Sequence, residues 1–102
     1  MTQFDKAIRD KIPEIIKESG KNCNVKKLTD SEFLVQLEKK LVEELSEYQE
    51  SKNVEELADI LEVIYRISEL KGITSDELDS IKNEKAKKRG KFNDNLFLVD
   101  TD

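Results

Sequence analysis

Four carboxylates at helical spacing are the residues of this chain best suited to chemistry. Glu44 and Glu47 lie in the run EELSE, and Glu56 and Asp59 lie in the run EELAD. The two members of each pair are three positions apart, so in a helix they share one face, about one turn from each other. Like charges placed in this way repel, whereas Mg²⁺ prefers oxygen ligands of this kind. The spacing therefore points to a divalent-metal site.

Surface helices are rich in glutamate, so a single ExxE motif is most often a solvated face. The angular positions argue against that interpretation here. At about 100° per residue, Glu56 falls inside the apolar arc of its helix, Asp59 lies at the edge of that arc, and Glu44 borders the apolar stripe of the preceding helix. A carboxylate at such a margin is costly unless it is paired or bound to metal, so we expect Glu56 to be the strongest member of the site. Three further acids fall on the outward face of the same helix: Glu55, Glu62 and Glu69.

The elements that must position the acids are predicted to be two long helices. Apolar residues recur every three or four positions in a helix that begins at Thr29 or Asp30 and fades near Ser51. The next helix begins after Asn53, a fair N-cap, and ends near Lys71. Because the connection is short, the two helices should form an antiparallel hairpin. The end of one and the start of the other are then adjacent, which allows all four acids to converge.

Two shorter helices complete an all-α prediction. The first spans roughly 13–19, and the fourth begins at Thr74 or Ser75 and ends at Gly90. The tail that follows is strongly apolar, and we expect it to dock onto the core or onto a neighbouring molecule. Its apolar residues are Phe92, Leu96, Phe97, Leu98 and Val99. The apolar stripe of the third helix is wide enough for packing on two sides, so the predicted fold is an antiparallel helical hairpin that forms a four-helix-bundle core, completed by dimerisation.

Composition limits the classes of protein that fit. The chain has 102 residues, 36% of them hydrophobic and 40% charged. We interpret it as a single domain, 1–102, that buries only a modest core alone and forms a homodimer or homotetramer. The net charge of −5 argues against binding of a nucleic-acid polymer.

The residue types also limit the chemistry. There is no histidine, which excludes histidine-based zinc sites and Ser-His triads. Any hydrolysis is therefore expected to use carboxylates and metal-bound water. The lone cysteine, Cys23, lies outside any ligand or redox motif, and no stretch is long and apolar enough to span a membrane. A cytoplasmic location away from membranes is the expectation.

Three blocks of the sequence resemble a known family. They are the opening IRDKIPEIIKESGK, the centre KLVEELSEYQES followed by EELADILEVI, and the ending KNEKAKKRGKFNDNLFL. Together they are similar to the MazG-type all-α nucleoside triphosphate pyrophosphohydrolases, and specifically to the phosphoribosyl-ATP pyrophosphohydrolase-like branch. The resemblance covers nearly the whole chain. One departure is that only eight residues separate Glu47 from Glu56, fewer than in longer members of the superfamily, which leaves the substrate open.

The resemblance implies Mg²⁺-dependent hydrolysis between the α- and β-phosphates of a nucleotide, giving a monophosphate and pyrophosphate, in a role such as clearing unwanted nucleotides. The matching positions make the four acids both catalytic and metal-binding: Glu44, Glu47, Glu56 and Asp59. Glu47 is a candidate to accept the proton of the attacking water. Glu43 is a candidate to support the metal ligands without binding the metal itself, although we expect it to face solvent.

Basic residues are needed to bind the phosphates of a nucleotide. The resemblance implies four substrate-binding positions, namely Arg9, Lys11, Lys85 and Arg89. The alternative for 85–91 is that these cations complement a helix C-terminus and favour solubility. Arg89 is the best candidate in that run, because a planar guanidinium suits phosphate oxygens and the adjacent Gly90 lets the backbone turn or approach closely.

Two alternatives to a general nucleotide pyrophosphohydrolase stay open. One is hydrolysis of phosphoribosyl-ATP in histidine biosynthesis, which shares the fold and the motif. The other is a non-catalytic helical dimerisation module, which the amphipathic helices and the apolar tail favour. The module gives no reason for Glu56 to lie in an apolar arc.

Overall fold

The structure is a computed structural model that describes residues 4–102. Within this range it contains four helices and no strand, as the all-α prediction requires. The helices are α1 (Ile12–Glu18), α2 (Asp30–Ser51), α3 (Val54–Leu70) and α4 (Ser75–Arg89). Each boundary lies within one residue or so of the predicted one. Over the described range, no helix is both long and apolar enough to cross a membrane.

Side-chain caps explain where α2 and α4 begin. Thr29 accepts a hydrogen bond from the backbone N–H of Glu32, and the Glu32 carboxylate accepts one from the backbone N–H of Thr29. Thr74 and Glu77 form the same reciprocal pair at the start of α4. These capping boxes satisfy backbone donors that the first turn of a helix leaves free. Both threonines are predicted from the sequence at or next to the helix starts, whereas the glutamates that complete the boxes are not.

The connection between α2 and α3 is only two residues long. Lys52 adopts a left-handed conformation with φ 58°, which ends α2, and the side chain of Asn53 accepts a hydrogen bond from the backbone N–H of Glu55 at 2.9 Å. The two helices pack against each other as a hairpin. The last turns of α2 therefore lie beside the first turns of α3. Farther along, α4 contacts α3, and the Tyr65 hydroxyl donates a hydrogen bond to Asp79.

The hydrophobic core of the described chain is small. Its buried apolar residues are Ala7, Leu37 and Val63. Four partly buried side chains pack around them: Phe33, Leu41, Ile67 and Leu70. Because Ala7 joins one residue from each helix of the hairpin, the segment before α1 is held against that hairpin. This contact brings the N-terminal basic residues near the acids.

The chain is more extended than a compact domain of its size. Its radius of gyration is 17.8 Å, against about 13 Å for a compact domain of this length. Its accessible surface is 9308 Å², about 3,400 Å² more than the roughly 5,900 Å² of a folded monomer of 11.8 kDa. Residues 91–102 are all exposed, so the apolar tail does not dock onto the core of its own chain. Docking onto a neighbouring molecule stays a prediction.

Candidate metal centre

The predicted acids lie together where α2 ends and α3 begins, in two overlapping groups. Glu44, Glu56 and Asp59 form one group, and Glu43, Glu44 and Glu47 form the other. Within each group, one carboxylate oxygen from each of the three residues lies within 4.8 Å of the others. Glu44 belongs to both groups and is therefore the centre of the cluster.

Glu44 is also the most buried acid of the cluster, with 7% of its surface exposed. Its Oε1 lies 3.3 Å from the Nζ of Lys40, whereas its Oε2 is buried and has no hydrogen-bond partner among the described residues. Burial raises the pKa of Glu44, Lys40 opposes that rise, and the charges of Glu47 and Asp59 add to it. An unsatisfied buried oxygen is costly, so this side chain is poised to accept a further ligand such as a cation.

The helical positions predicted that Glu56 would be more buried than Glu44, and the structure shows the opposite order. Glu56 is only partly buried, because it lies in the first turn of α3, where the end of the helix is open on one side. Glu44 lies more than one turn inside α2 and beside the hairpin partner. We expected Glu56 to be the strongest member of the site because of its burial. The structure contradicts that reason, since Glu44 is the more buried of the two side chains.

Glu43 departs from the prediction that it faces solvent. It is partly buried, and its Oε1 lies 3.3 Å from the Nζ of Lys6. The pairing depends on the N-terminal segment lying against the hairpin. The sequence pattern of α2 alone does not predict the contact between Glu43 and Lys6.

Arg9 contacts the acid cluster directly. Its Nη2 donates a hydrogen bond of 2.7 Å to the Oδ1 of Asp59. A cation therefore neutralises one member of the cluster when no metal is bound. The predicted role of Arg9 in phosphate binding is compatible with this position, because Arg9 also lines a cavity.

A cavity of about 620 Å³ opens beside the acids. One part of its wall is charged and includes Arg9, Lys11, Lys40, Glu44 and Asp59. Another part is formed by apolar and aromatic side chains, namely Ala7, Ile8, Phe33, Leu37, Val63 and Tyr65. A smaller cavity of about 270 Å³ shares Arg9, Lys40, Glu44 and Asp59 with it. Glu62 and Glu69, predicted to face outward, are exposed but also line the larger cavity.

Lys85 and Arg89 are not brought to these cavities. Both are exposed on the last turns of α4, and neither lines the larger or the smaller cavity. The structure thus brings Arg9 and Lys11 to the cavity that Glu44 and Asp59 also line, and it leaves the other two predicted phosphate contacts apart from that cavity.

Lys40 is the functional candidate that sequence reasoning missed. Its side chain is 15% exposed and lines both cavities next to Glu44. Its position could have been predicted, because Lys40 lies four residues before Glu44 and oppositely charged residues at that spacing are neighbours on a helix.

Comparisons with protein families, with curated proteins and with solved structures find no match to this chain. The function is therefore argued from the residues and geometry of the site.

Proposed function

We propose that this chain is a Mg²⁺-dependent nucleotide pyrophosphohydrolase that cleaves a nucleoside triphosphate between its α- and β-phosphates. The observation that carries the proposal is the buried Oε2 of Glu44, which lacks a partner among the described residues at the centre of the acid cluster. A buried polar atom without a hydrogen-bond partner is unfavourable. A metal ion would satisfy this oxygen and relieve the repulsion among the neighbouring acids.

The donor set fits Mg²⁺. All the candidate ligands are carboxylate oxygens, which this ion prefers, and it commonly retains waters alongside a few carboxylates and substrate phosphates. The proposed ligands are Glu44, Glu47, Glu56 and Asp59. When bound, Mg²⁺ neutralises charge on the phosphates and lowers the pKa of water at the site.

The remaining chemistry belongs to side chains of the chain. Arg9 and Lys11 hold phosphate oxygens at the charged wall of the larger cavity, and Glu47 accepts a proton from the attacking water. The water oxygen bonds to the α-phosphorus as the bond from that phosphorus to the bridging oxygen breaks. The products are a nucleoside monophosphate and pyrophosphate, which leaves with the bridging oxygen.

The larger cavity supports a nucleotide as substrate. At about 620 Å³, it lies within the size range of small-molecule sites. Phosphates would lie near Asp59 and Arg9, and the base and sugar would pack towards Phe33 and Val63. The apolar wall would exclude bulk water from the phosphates.

We also propose that two hairpins pair to form a four-helix core. The support is the apolar surface left open on the hairpin and the large accessible area of the single chain. Half-exposed apolar side chains follow helical spacing on both helices: Val35, Val42, Leu45, Leu57 and Leu61. A dimer or tetramer in the cytoplasm is part of this proposal. Lys85 and Arg89 remain candidate phosphate contacts on the strength of the resemblance alone.

The decisive experiment is a substrate panel. Purified chain is incubated with each nucleoside triphosphate, and with phosphoribosyl-ATP, in the presence of Mg²⁺, and pyrophosphate release is measured. Calorimetry measures Mg²⁺ binding in parallel. Strong preference for phosphoribosyl-ATP would favour the histidine-pathway alternative. No pyrophosphate from any nucleotide and no Mg²⁺ binding would leave the non-catalytic dimerisation module, which the exposed apolar surface also favours.

A further inference from the structure

Two cavities share the wall that carries the acid cluster, and the proposed function uses only the larger one. Both are lined by Ile8 and by the same four charged residues: Arg9, Lys40, Glu44 and Asp59. The smaller cavity, of about 270 Å³, adds Lys6 and Ile12 to these. A substrate that binds at the shared wall can therefore extend into both cavities, with a different part of the molecule in each.

The larger cavity extends along the hairpin away from the acids. On α2 it is lined by a stripe of residues three or four positions apart: Phe33, Leu37, Lys40 and Glu44. At 1.5 Å per residue, Phe33 and Glu44 are about 16 Å apart along the helix axis. On α3, Asp59 lies at the acid end, and Val63 and Arg66 follow along the cavity. A nucleoside in this cavity would have its base towards Phe33 and its phosphates towards the shared wall.

The two cavities differ in charge and in aromatic content. The charged residues that line the smaller cavity are three cations and two acids, whereas those of the larger cavity are four cations and five acids. Two aromatic side chains, Phe33 and Tyr65, line the larger cavity, and none of the described residues that line the smaller one is aromatic. An excess of cations attracts anions. The smaller cavity therefore suits a compact anion better than it suits a base.

Each cation of the smaller cavity is paired with an acid of the cluster. The N···O distances are 3.3 Å for Lys6 with Glu43, 3.3 Å for Lys40 with Glu44, and 2.7 Å for Arg9 with Asp59. A divalent cation bound among these carboxylates would weaken the three pairs. The side-chain cations would then be free to donate charge-assisted hydrogen bonds to phosphate oxygens. Binding of the metal and binding of a polyphosphate would thus favour each other.

We propose that the smaller cavity binds the β- and γ-phosphates of the substrate, and afterwards the pyrophosphate product, through Lys6, Arg9 and Lys40. The bond that breaks then lies at the shared wall beside Glu44 and Asp59, and the nucleoside lies in the larger cavity. This inference rests on the proposed pyrophosphohydrolase activity. It adds Lys6, which has no role in the site as predicted from the sequence.

Binding of inorganic pyrophosphate tests this subsite without turnover. Calorimetry measures the dissociation constant of pyrophosphate for the full chain at a fixed, high concentration of free Mg²⁺. We expect Lys6→Gln to raise this constant about tenfold, because a hydrogen bond between charged groups is lost. Lys39→Gln removes the same charge from an exposed residue that lines neither cavity, and it should match the wild type. An unchanged constant in Lys6→Gln, or no binding of pyrophosphate by the wild type, would overturn the proposal.

A second variant distinguishes phosphate binding from a purely structural role of the pair between Lys6 and Glu43. Glu43→Gln removes the charge that pairs with Lys6 and keeps the lysine. Because its Lys6 is then free for phosphate, we expect this variant to bind pyrophosphate at least as tightly as the wild type. An equal loss of affinity in Lys6→Gln and Glu43→Gln would mean that the pair only holds the N-terminal segment in place, and would overturn the proposal.

These tests measure binding and not hydrolysis, so the subsite and the enzymatic activity fail separately. Pyrophosphate binding that depends on Lys6, in a chain that hydrolyses no nucleotide, contradicts only the proposed activity. Hydrolysis of a nucleoside triphosphate by a chain whose pyrophosphate binding does not depend on Lys6 contradicts only the proposed subsite.

Discussion

Arg9 and Asp59 lie 50 positions apart in the chain and are joined by a 2.7 Å hydrogen bond between guanidinium and carboxylate. This bond ties the segment before α1 to the start of α3. It also places a cation on one of the proposed Mg²⁺ ligands, so that Arg9 and the metal compete for the same carboxylate.

Replacing Arg9 should therefore separate metal binding from nucleotide binding. Both partners are about half exposed, so their pair contributes at most about 1 kcal/mol. We expect Arg9→Ala to tighten Mg²⁺ binding by up to about fivefold without nucleotide and to weaken nucleotide binding. Calorimetry with each ligand alone and with both measures the two effects. Lys11→Ala, which lacks the contact to Asp59, is the control and should leave Mg²⁺ binding alone nearly unchanged. Weaker Mg²⁺ binding in Arg9→Ala would contradict the competition.

Glu44→Gln should have the largest effect on Mg²⁺ binding. Glu44 is shared by both carboxylate groups, and even residues that only support metal ligands cost about 10–100-fold when replaced. We expect Mg²⁺ affinity and pyrophosphate release each to fall by more than about 100-fold. Mg²⁺ should raise the melting temperature of the wild type but not that of the variant, because only the folded wild type binds it. Glu55→Gln, on the outward side of α3, is the matched control.

Glu56→Gln should abolish activity while leaving helicity and oligomeric state nearly intact. Glu56 is partly buried near an open helix end, so the metal-free variant should differ from the wild type by no more than about 0.5 kcal/mol in stability. Activity assays, circular dichroism and chemical unfolding provide the measurements. Full activity in this variant would remove Glu56 from the site.

The start of α2 gives a prediction for pH. Two hydrogen bonds from Thr29 lower the pKa of Glu32 below 4.5. The bond from the backbone N–H has the larger effect, and the bond from the hydroxyl has the smaller one. The unfolded chain therefore binds this proton more readily than the folded chain, so the contribution of Glu32 is present above pH 4.5 and is lost as pH falls through the lowered pKa. Glu32→Gln has no charge to titrate. We expect the wild type to be the more stable chain above this window, and the difference to shrink below it in thermal melts. A difference that is constant with pH would contradict the assignment.

Association should depend on the apolar side chains that the single hairpin leaves about half exposed. Leu61 is about half exposed in the single chain, so Leu61→Asp should cost little within one chain but should disrupt the proposed four-helix core. Light scattering at micromolar concentration should give a dimer or larger for the wild type and a monomer for the variant. Val25→Asp changes an exposed apolar residue outside the hairpin and should retain association. A monomeric wild type would remove the proposed core.

The sequence predicts the helices well because their boundaries depend on local residues. Thr29, Asn53 and Thr74 cap helices through contacts two or three positions away, and such contacts are visible in the order of residues. The spacing of the acids is local in the same sense. The structure places Glu44, Glu56 and Asp59 in one group, whereas Glu47 is grouped with Glu43 and Glu44.

What the sequence does not predict depends on contacts between distant segments. The greater burial of Glu44 over Glu56 depends on which surfaces cover each helix position. The pairs from Lys6 to Glu43 and from Arg9 to Asp59 depend on the N-terminal segment lying against the hairpin. The spacing of apolar residues within one helix does not predict which distant segments pack against it.

The two-residue connection at 52–53 has a consequence for how the site meets its ligands. Because α2 ends and α3 begins almost at once, the distances between their acids are set by helix geometry and not by a mobile loop. Folding thus brings the carboxylates together before any ion binds. The chain would therefore lose little further conformational entropy when a metal ion binds. The repulsion among the gathered carboxylates would then favour binding of the ion.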